Sequence, residues 1–320
     1  MLPGCNLRLR DKWVWDFWFA QDGADYHMFY LQACRDLIDP ELRHWNVSVG
    51  HAVSQDLRHW KQLPDAIAPG MVGNRQELTT WTGSIIRHNN LWYLFYTTSY
   101  LDQDGKVQHI SLATSKDLIH WEKYGDNPLF GADSKYYEKF EQHDWHDEAW
   151  RDPWVFQDSK TGEFHAYITG RLKQGFPAIR GVIAHATSKN LTDWQVLEPV
   201  TQPTRFGTME CPQLVEIKER YYLLFSVQPG EYVGSKLTGI FYMVADNPYG
   251  PFSPPVALCA DLFGQLYSGK LLLGPDNQWY LTAWRNRTLQ NEFIGDICQP
   301  IPIDVDAMGN LIMVPATIAA

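Results

Sequence analysis

One type of segment occurs three times along the chain, and this internal repeat limits the possible folds more than any other feature. The copies VSVGHAVSQDLRHW, HISLATSKDLIHW and GVIAHATSKNLTDW end at Trp60, Trp121 and Trp194. Each copy has an alternating apolar run, a polar turn and then Leu-x-x-Trp. A looser fourth copy, GIFYMVADNPYGPF, ends at Phe252. Similar units recurring at intervals of about 60 residues are typical of folds in which each unit packs only on its neighbours.

A second unit, two apolar runs joined by a polar turn, lies between these copies. Its five examples are WDFWFAQDGADYHMFYLQA, WTGSIIRHNNLWYLFYTT, RDPWVFQDSKTGEFHAYITG, ECPQLVEIKERYYLLFSVQ and YSGKLLLGPDNQWYLTAW. Alternating runs rich in Tyr, Phe, Val and Ile predict strands, and the polar turns predict hairpins. We therefore predict an all-β, five-bladed β-propeller over residues 1–320 as a single domain, with a short N-terminal arm over about 1–12. A β-sandwich is the main alternative, but it does not predict five similar units.

The innermost strands of a propeller line a central channel and open onto one shared face. Here they are predicted to begin near Asp16, Gly83, Asp152, Glu210 and Ser268. Three blades would thus direct a carboxylate to the same funnel. Two carboxyl groups across a pocket suit glycoside hydrolysis, in which one attacks and the other protonates the leaving oxygen.

The surroundings of the three acids suggest different roles. Glu210 is predicted to be the proton donor, because nearby anions and apolar neighbours raise the pKa of a carboxyl group. Asp16 is predicted to be the nucleophile, since flanking tryptophans such as Trp15 offer a wall for a sugar ring. Asp152 would stabilise positive charge in the transition state. Arg151 would keep Asp152 ionised or bind a substrate hydroxyl.

The composition favours an uncharged ligand. Trp, Tyr and Phe make up 14% of the chain, and their faces stack on sugar rings. We predict sugar contacts for Trp15, Trp81, Ser84 and Trp284, although packing between strands would also account for Trp81 and Trp284. The formal net charge of -10 argues against nucleic acid or an anionic membrane as the partner. A small carbohydrate is the expected partner.

Cysteine usage and the first residues predict a cytoplasmic protein. The five cysteines are widely spaced, which fits reduced thiols better than a disulfide framework or a zinc site. The opening stretch MLPGCNLRLRDKWVW has no apolar core of a signal peptide.

The segment HDWHDE at 143–148 has metal-binding residue types without metal-site spacing, so we predict a pocket-rim loop. Neither a metal nor a cofactor is expected.

Several motifs together resemble a known family. They are HWNVSVGHAVSQDLRHW (44–60), LPDAIAP (63–69), WTGS (81–84), WRDP (150–153) and MECPQL (209–214). Their order and spacing over roughly residues 13–290 are similar to those of the β-fructofuranosidase (invertase and levanase) superfamily, glycoside hydrolase family 32, with family 68 as a relative.

The resemblance implies retaining hydrolysis of terminal β-fructofuranosides such as sucrose or small fructans, with fructosyl transfer open on the same intermediate. It implies Asp16 as nucleophile, Asp152 as stabilising acid and Glu210 as acid/base. Invertases have Asn-Asp-Pro-Asn-Gly at the nucleophile, whereas Asp16 stands in Trp-Val-Trp-Asp-Phe-Trp. Where the family has Glu-Cys-Pro-Asp, this chain has Gln213 in place of the last Asp.

The differences keep two alternatives open. One is a furanosidase or xylosidase of the family 43 type, acting on arabinofuranosides or related sugars. The other is a sugar-binding propeller without catalysis. Family 32 enzymes also carry a C-terminal β-sandwich, which we expect this chain to lack. A homodimer would cover the propeller surface left exposed.

Overall fold

A computed structural model describes residues 2–142 and 144–314 of the chain. These residues form five main antiparallel sheets arranged as a five-bladed β-propeller, which confirms the predicted fold. The first strand, β1 (Cys5–Leu7), belongs to the last blade. The described residues contain no helix that is both long enough and apolar enough to cross a membrane.

Each blade begins with an inner strand at the channel, and the first four blades are four-stranded meanders that end at the outer edge. Blade one contains β2 (Lys12–Asp22), β3 (Asp25–Cys34), β4 (Ser48–Ser54) and β5 (Lys61–Ile67), and a ribbon of β6 (Met71–Val72) and β7 (Arg75–Gln76) follows it. Blade two contains β8 (Trp81–His88), β9 (Leu91–Ser99), β10 (Gln108–Ser115) and β11 (Glu122–Lys123). Blade three contains β12 (Trp150–Gln157), β13 (Phe164–Arg171), β14 (Gly181–Ser188) and β15 (Trp194–Leu197).

Blade four follows the same order, whereas blade five has six strands. Blade four contains β16 (Glu210–Ile217), β17 (Arg220–Val227), β18 (Thr238–Ala245) and β19 (Val256–Asp261). Blade five contains β20 (Leu266–Leu273), β21 (Trp279–Arg287), β22 (Phe293–Cys298), β23 (Ile301–Val305) and β24 (Leu311–Met313), together with β1. Short 3-10 helices lie at Pro40–Trp45, Leu101–Gln103, Phe140–Gln142 and Pro177–Ile179.

Part of the predicted N-terminal arm joins the first and last blades. Strand β1 pairs antiparallel with β22, with Cys5 opposite Cys298 and Leu7 opposite Ile297. The chain then enters blade one at Lys12. Leu7 and Ile297 both lie in the core cluster that also holds residues of blade one. The ring is thus closed by backbone pairing as well as by side-chain packing.

The repeated Leu-x-x-Trp motif fills the seams between blades. Trp121 packs edge-on against Phe29 of blade one, with ring centroids 5.7 Å apart. Trp194 packs in the same way against Phe95 of blade two, at 5.5 Å. Trp60 lies in a cluster with Tyr280 of blade five. Trp121 and Trp194 thus contact the blade before their own, and Trp60 packs against a cluster formed by residues of blades one and five.

The leucine of this motif has a left-handed backbone in all three copies, with φ of 61° at Leu57, 63° at Leu118 and 70° at Leu191. This conformation is uncommon for a branched residue. Hydrogen bonds within the turn compensate it; for example, the Asp117 carboxylate accepts from the Ile119 and His120 amides at 2.9 and 2.8 Å. The turn also buries each leucine, since none is more than 2% exposed.

All five inner strands contain a β-bulge at the same level of the channel. Their pairing registers shift between Trp15 and Phe17, Trp81 and Gly83, Arg151 and Trp154, Glu210 and Gln213, and Tyr267 and Lys270. A bulge adds an unpaired residue and redirects the side chains beside it, which is why bulges are frequent next to active sites. The strand carrying Asp16 begins at Lys12, so the predicted start at Asp16 is wrong. Asp16 lies at the bulge instead.

Candidate active site

The bulges surround a cavity of about 560 Å³ at one end of the channel. Residues from all five blades and from the helix Pro40–Trp45 form its wall. They include Trp15, Asp16, Glu41, Arg43, His44, Trp45, Trp81, Thr82, Gln108, His146, Asp147, Arg151, Asp152, Glu210, Gln228, Tyr267, Trp284, Asn286 and Arg287. The three acids predicted from the sequence therefore share one cavity.

Asp16 is held by donors from other blades. The Thr82 hydroxyl of blade two donates to its Oδ2 at 2.7 Å. The Trp284 indole N–H of blade five donates to its Oδ1 at 2.9 Å. The Cys211 Sγ of blade four lies 3.6 Å from Oδ2. Contacts on both oxygens fix the orientation of this carboxylate.

Asp152 lies deeper, 5% exposed, and its backbone is left-handed with φ of 59°. Its amide donates to Thr97 Oγ1 at 2.8 Å. Its Oδ2 accepts from the Thr169 hydroxyl at 2.8 Å and from the Cys211 amide at 3.0 Å. Burial raises the pKa of Asp152 to about 6, because it outweighs the opposing charge of Arg151 and is reinforced by the charges of Glu210 and Asp16.

Glu210 has strong donors at both oxygens. Arg151 Nη2 donates to Oε1 at 2.6 Å, while Gln228 Nε2 and the Tyr267 hydroxyl donate to Oε2 at 3.0 and 2.5 Å. Burial acts to raise the pKa of Glu210, but the charge of Arg151 and these hydrogen bonds hold it below its ordinary value. The predicted apolar surroundings are therefore wrong: the neighbouring Met209 packs into the core of blades three and four.

Arg151 contacts Glu210 more closely than its predicted partner Asp152. Its Nε lies 3.9 Å from Asp152 Oδ2, against 2.6 Å from Nη2 to Glu210 Oε1. Its Nη1 donates to Gln108 Oε1 at 3.2 Å and to Asp147 Oδ2 at 3.4 Å. The bulge explains the difference, since it places the Asp152 carboxylate next to the Cys211 amide.

One group of possible metal donors occurs in residues 2–142 and 144–314. A carboxylate oxygen of Asp16, one of Asp152 and the Sγ of Cys211 lie within 4.8 Å of one another. Burial and the charges of both carboxylates raise the pKa of the Cys211 thiol well above its ordinary value, and a protonated thiol is a poor metal ligand. Buried Lys270 also donates to the Cys211 carbonyl at 2.7 Å and brings a positive charge to the group. These residues fit a hydrogen-bonded carboxylate pair better than a metal centre.

Three of the four predicted sugar-contact residues line the cavity, and the fourth does not. Trp15, Trp81 and Trp284 form part of its wall. Ser84 is buried between blades two and three, where its hydroxyl accepts from the Val155 amide at 2.9 Å. The Ser84 hydroxyl holds blades two and three together, so the prediction that Ser84 contacts the sugar is wrong.

Other residues of the cavity were not predicted. Thr82 and Tyr267 stand beside the bulges of β8 and β20, so aligning the five inner strands by their bulges would have found them. Gln228 and the helix Pro40–Trp45 belong to no repeated pattern. The predicted rim loop does supply His146 and Asp147, whereas His143 lies outside the described residues.

Comparisons with known proteins identify the same family that the sequence motifs resemble. The family model described as glycosyl hydrolases family 32 N-terminal domain matches residues 18–295. Sucrose-6-phosphate hydrolase of Zymomonas mobilis is 26% identical over 319 residues, covering 91% of this chain and 57% of that protein. Sucrose-6-phosphate hydrolase of Escherichia coli is 28% identical over 218 residues, covering 63% and 39%. The chain thus spans about half the length of these relatives.

The fold is also that of solved structures. The inulosucrase from Halalkalicoccus jeotgali bound to kestose matches with a TM-score of 0.76 and 20% identity, over 97% of this chain and 89% of that one. The β-fructofuranosidase catalytic domain of Microbacterium saccharophilum matches with a TM-score of 0.75 and 18% identity, over 98% and 84%. The family match begins two residues after Asp16, whose carboxylate lies in the wall of the cavity.

Proposed function

The chain belongs to the glycosyl hydrolase family 32 N-terminal domain family, and from that premise we propose that it is a retaining glycoside hydrolase acting on terminal β-fructofuranosides such as sucrose or small fructans. The observation that carries the proposal is the meeting of Asp16, Asp152 and Glu210 in one cavity, each on the inner strand of a different blade. Fructosyl transfer would follow where a sugar hydroxyl replaces water in the second step.

In the first step Asp16 attacks the anomeric carbon of the fructosyl unit, and Glu210 gives its proton to the leaving oxygen. The glycosidic bond breaks and an ester forms with Asp16. Contacts from Thr82 and Trp284 keep the attacking carboxylate in one orientation. The ionised carboxylate of Asp152 would stabilise the positive charge that develops on the sugar.

In the second step Glu210 takes a proton from water, which attacks the ester and releases fructose. Esterification removes the negative charge of Asp16. The loss of this nearby negative charge favours the ionised form of Glu210. The donors Arg151 and Tyr267 favour the same ionised form of Glu210. These contacts therefore suit the role of Glu210 as base in the second step.

A substrate panel tests this proposal. Sucrose, inulin, levan and the nitrophenyl α-L-arabinofuranoside and β-D-xyloside are offered to the parent protein and to Asp16→Asn. Release of fructose that is lost in the variant is the expected result. Proton NMR of the first product should show retention at the anomeric carbon, and inversion would contradict the role of Asp16.

The same panel separates the alternatives. Release of arabinose or xylose without fructose would move the activity to a family 43 type of specificity. Binding of sugar without any release, unchanged in Glu210→Gln, would identify a sugar-binding propeller. A catalyst loses turnover in Glu210→Gln and keeps binding.

Domain organisation, assembly and location complete the proposal. We infer one propeller domain over the 320 residues, a cytoplasmic setting and association as a homodimer. The wide spacing of the five cysteines, all of them free thiols here, supports a reducing compartment. Light scattering that shows a monomer alone would remove the dimer.

A further inference from the structure

Three side chains that carry or can take up positive charge share one carboxylate at the wall of the cavity. Glu41 Oε1 lies 3.1 Å from Arg43 Nη1 and 3.4 Å from Arg287 Nη2. Glu41 Oε2 lies 3.6 Å from His44 Nε2. Arg287 ends β21 of blade five, whereas the other three belong to the helix Pro40–Trp45 of blade one. All four line the cavity.

Glu41 is fixed there as an anion. The hydrogen bond with His44 and the charge of Arg43 outweigh burial and hold the pKa of Glu41 at about 2. Its amide donates to Asp39 Oδ1 at 2.9 Å, which anchors the helix start. Arg43 is itself fixed, because its guanidinium lies 4.2 Å from the centre of the Phe293 ring. The Glu41 side chain remains 54% exposed, so its charge faces an entering ligand.

The cavity as a whole is negatively charged. Five carboxylates and three guanidinium groups line it, which leaves two formal negative charges when both histidines are neutral. A phosphate ester carries about 1.5 to 2 negative charges at neutral pH. Without Glu41, the guanidinium groups of Arg43 and Arg287 would lose their shared anion. Unpaired arginines of this kind are what phosphate groups bind.

We propose that Glu41 is a specificity-determining residue that makes the cavity accept uncharged fructosides and reject phosphorylated ones. The Glu41 carboxylate pairs with Arg43 and Arg287, so the two guanidinium groups are not available to a phosphate group. Its negative charge also repels a second anion. This inference rests on the proposed function. It would distinguish the chain from the relatives named for a phosphorylated substrate.

The test compares kcat/KM for sucrose and for sucrose-6-phosphate. The parent protein should favour sucrose by about tenfold or more, because bringing the phosphate group close to the Glu41 carboxylate costs free energy. Glu41→Gln should shift the ratio by about tenfold toward the phosphorylated substrate. Glu41→Asp keeps the charge and should keep the preference. The matched control is Asp304→Asn, which removes one carboxylate from an exposed ion pair with Lys218 outside the cavity and should leave the ratio unchanged.

Salt gives a second measurement on the parent protein alone. Raising the ionic strength from about 0.1 M to about 1 M shortens the Debye length from about 10 Å to about 3 Å, so the preference for sucrose should weaken. Equal use of both sugars by the parent, or an unchanged ratio in Glu41→Gln, would overturn the inference and leave fructoside hydrolysis standing. Hydrolysis of neither sugar would instead remove the proposed function together with the inference.

Discussion

The seams between the blades and the cavity at the channel end use the repeat in opposite ways. At the seams the same solution recurs: Leu118 and Leu191 share one backbone conformation, and Trp121 and Trp194 pack on equivalent rings of the preceding blade. At the cavity the bulge recurs in all five inner strands, but the side chains beside it differ. Equivalent contacts repeated between blades hold the ring together, whereas the differing side chains beside the bulges form the cavity.

This comparison separates two kinds of substitution. A change at a seam removes apolar contact and should lower the free energy of unfolding. A change at the cavity removes a charge or a hydrogen-bond donor and should lower turnover more than it lowers the free energy of unfolding. Four substitutions or measurements would break or sharpen the distinction.

The largest effect is expected at Asp16. Asp16→Asn keeps the shape of the side chain but removes the attacking anion, so kcat should fall about a thousandfold or more. The urea unfolding midpoint should move little, because the amide oxygen can still accept from the Trp284 indole while the amide NH2 can donate to the Thr82 hydroxyl. Initial-rate kinetics and urea titration measure both. Residual turnover within tenfold of the parent would exclude Asp16 as the nucleophile.

Trp194 should show the reverse behaviour. Trp194→Ala empties the seam against Phe95 and Phe130 and should lower the free energy of unfolding by about 3 kcal/mol. Native protein should keep its KM. The matched control is Trp45→Ala, which removes a tryptophan that is 44% exposed at the cavity and should change KM more than stability. Similar unfolding curves for the two variants would break the comparison.

The pH dependence of turnover reports the coupled acids in the cavity. Asp152 and Glu210 titrate as a coupled pair that holds one proton up to the raised pKa of Asp152, about 6, and donation needs that proton to pass to Glu210, which leaves Asp152 ionised. Above that pH both carboxyls are ionised, so kcat/KM should fall about tenfold per pH unit. Below the lowered pKa of Glu210 both are protonated, and the rate should fall again. A profile that rises from pH 6 to pH 8 would contradict this assignment.

The smallest effect is expected at Thr82. Thr82→Val removes the donor to Asp16 Oδ2 at nearly constant volume and should lower kcat by about tenfold. Thr82→Ser should restore most of the rate, because it restores the hydroxyl. Equal rates in the valine and serine variants would show that Thr82 acts through packing and not by positioning Asp16.

The ring of blades and the three acids could be predicted from the sequence because both follow patterns that repeat along the chain. Strand alternation and a repeated Leu-x-x-Trp depend on local residues, and the acids stand where inner strands begin or bulge. The partner of Arg151, the lowered pKa of Glu210 and the burial of Ser84 could not be predicted in this way. They depend on the backbone turn at a bulge and on which residue of the next blade lies opposite.

The pairing of β1 with β22 has a consequence for how the molecule folds. It joins Leu7 to Ile297 and so closes a loop of about 290 residues, with a chain entropy cost of about 5 kcal/mol. Closure should therefore come late, after the blades have formed from their local hairpins. Asp16 lies just after this junction, and Trp284, which orients it, lies on the far side. The attacking group would gain its final geometry only when the last blade meets the first, so refolding followed by activity should lag behind refolding followed by β-structure.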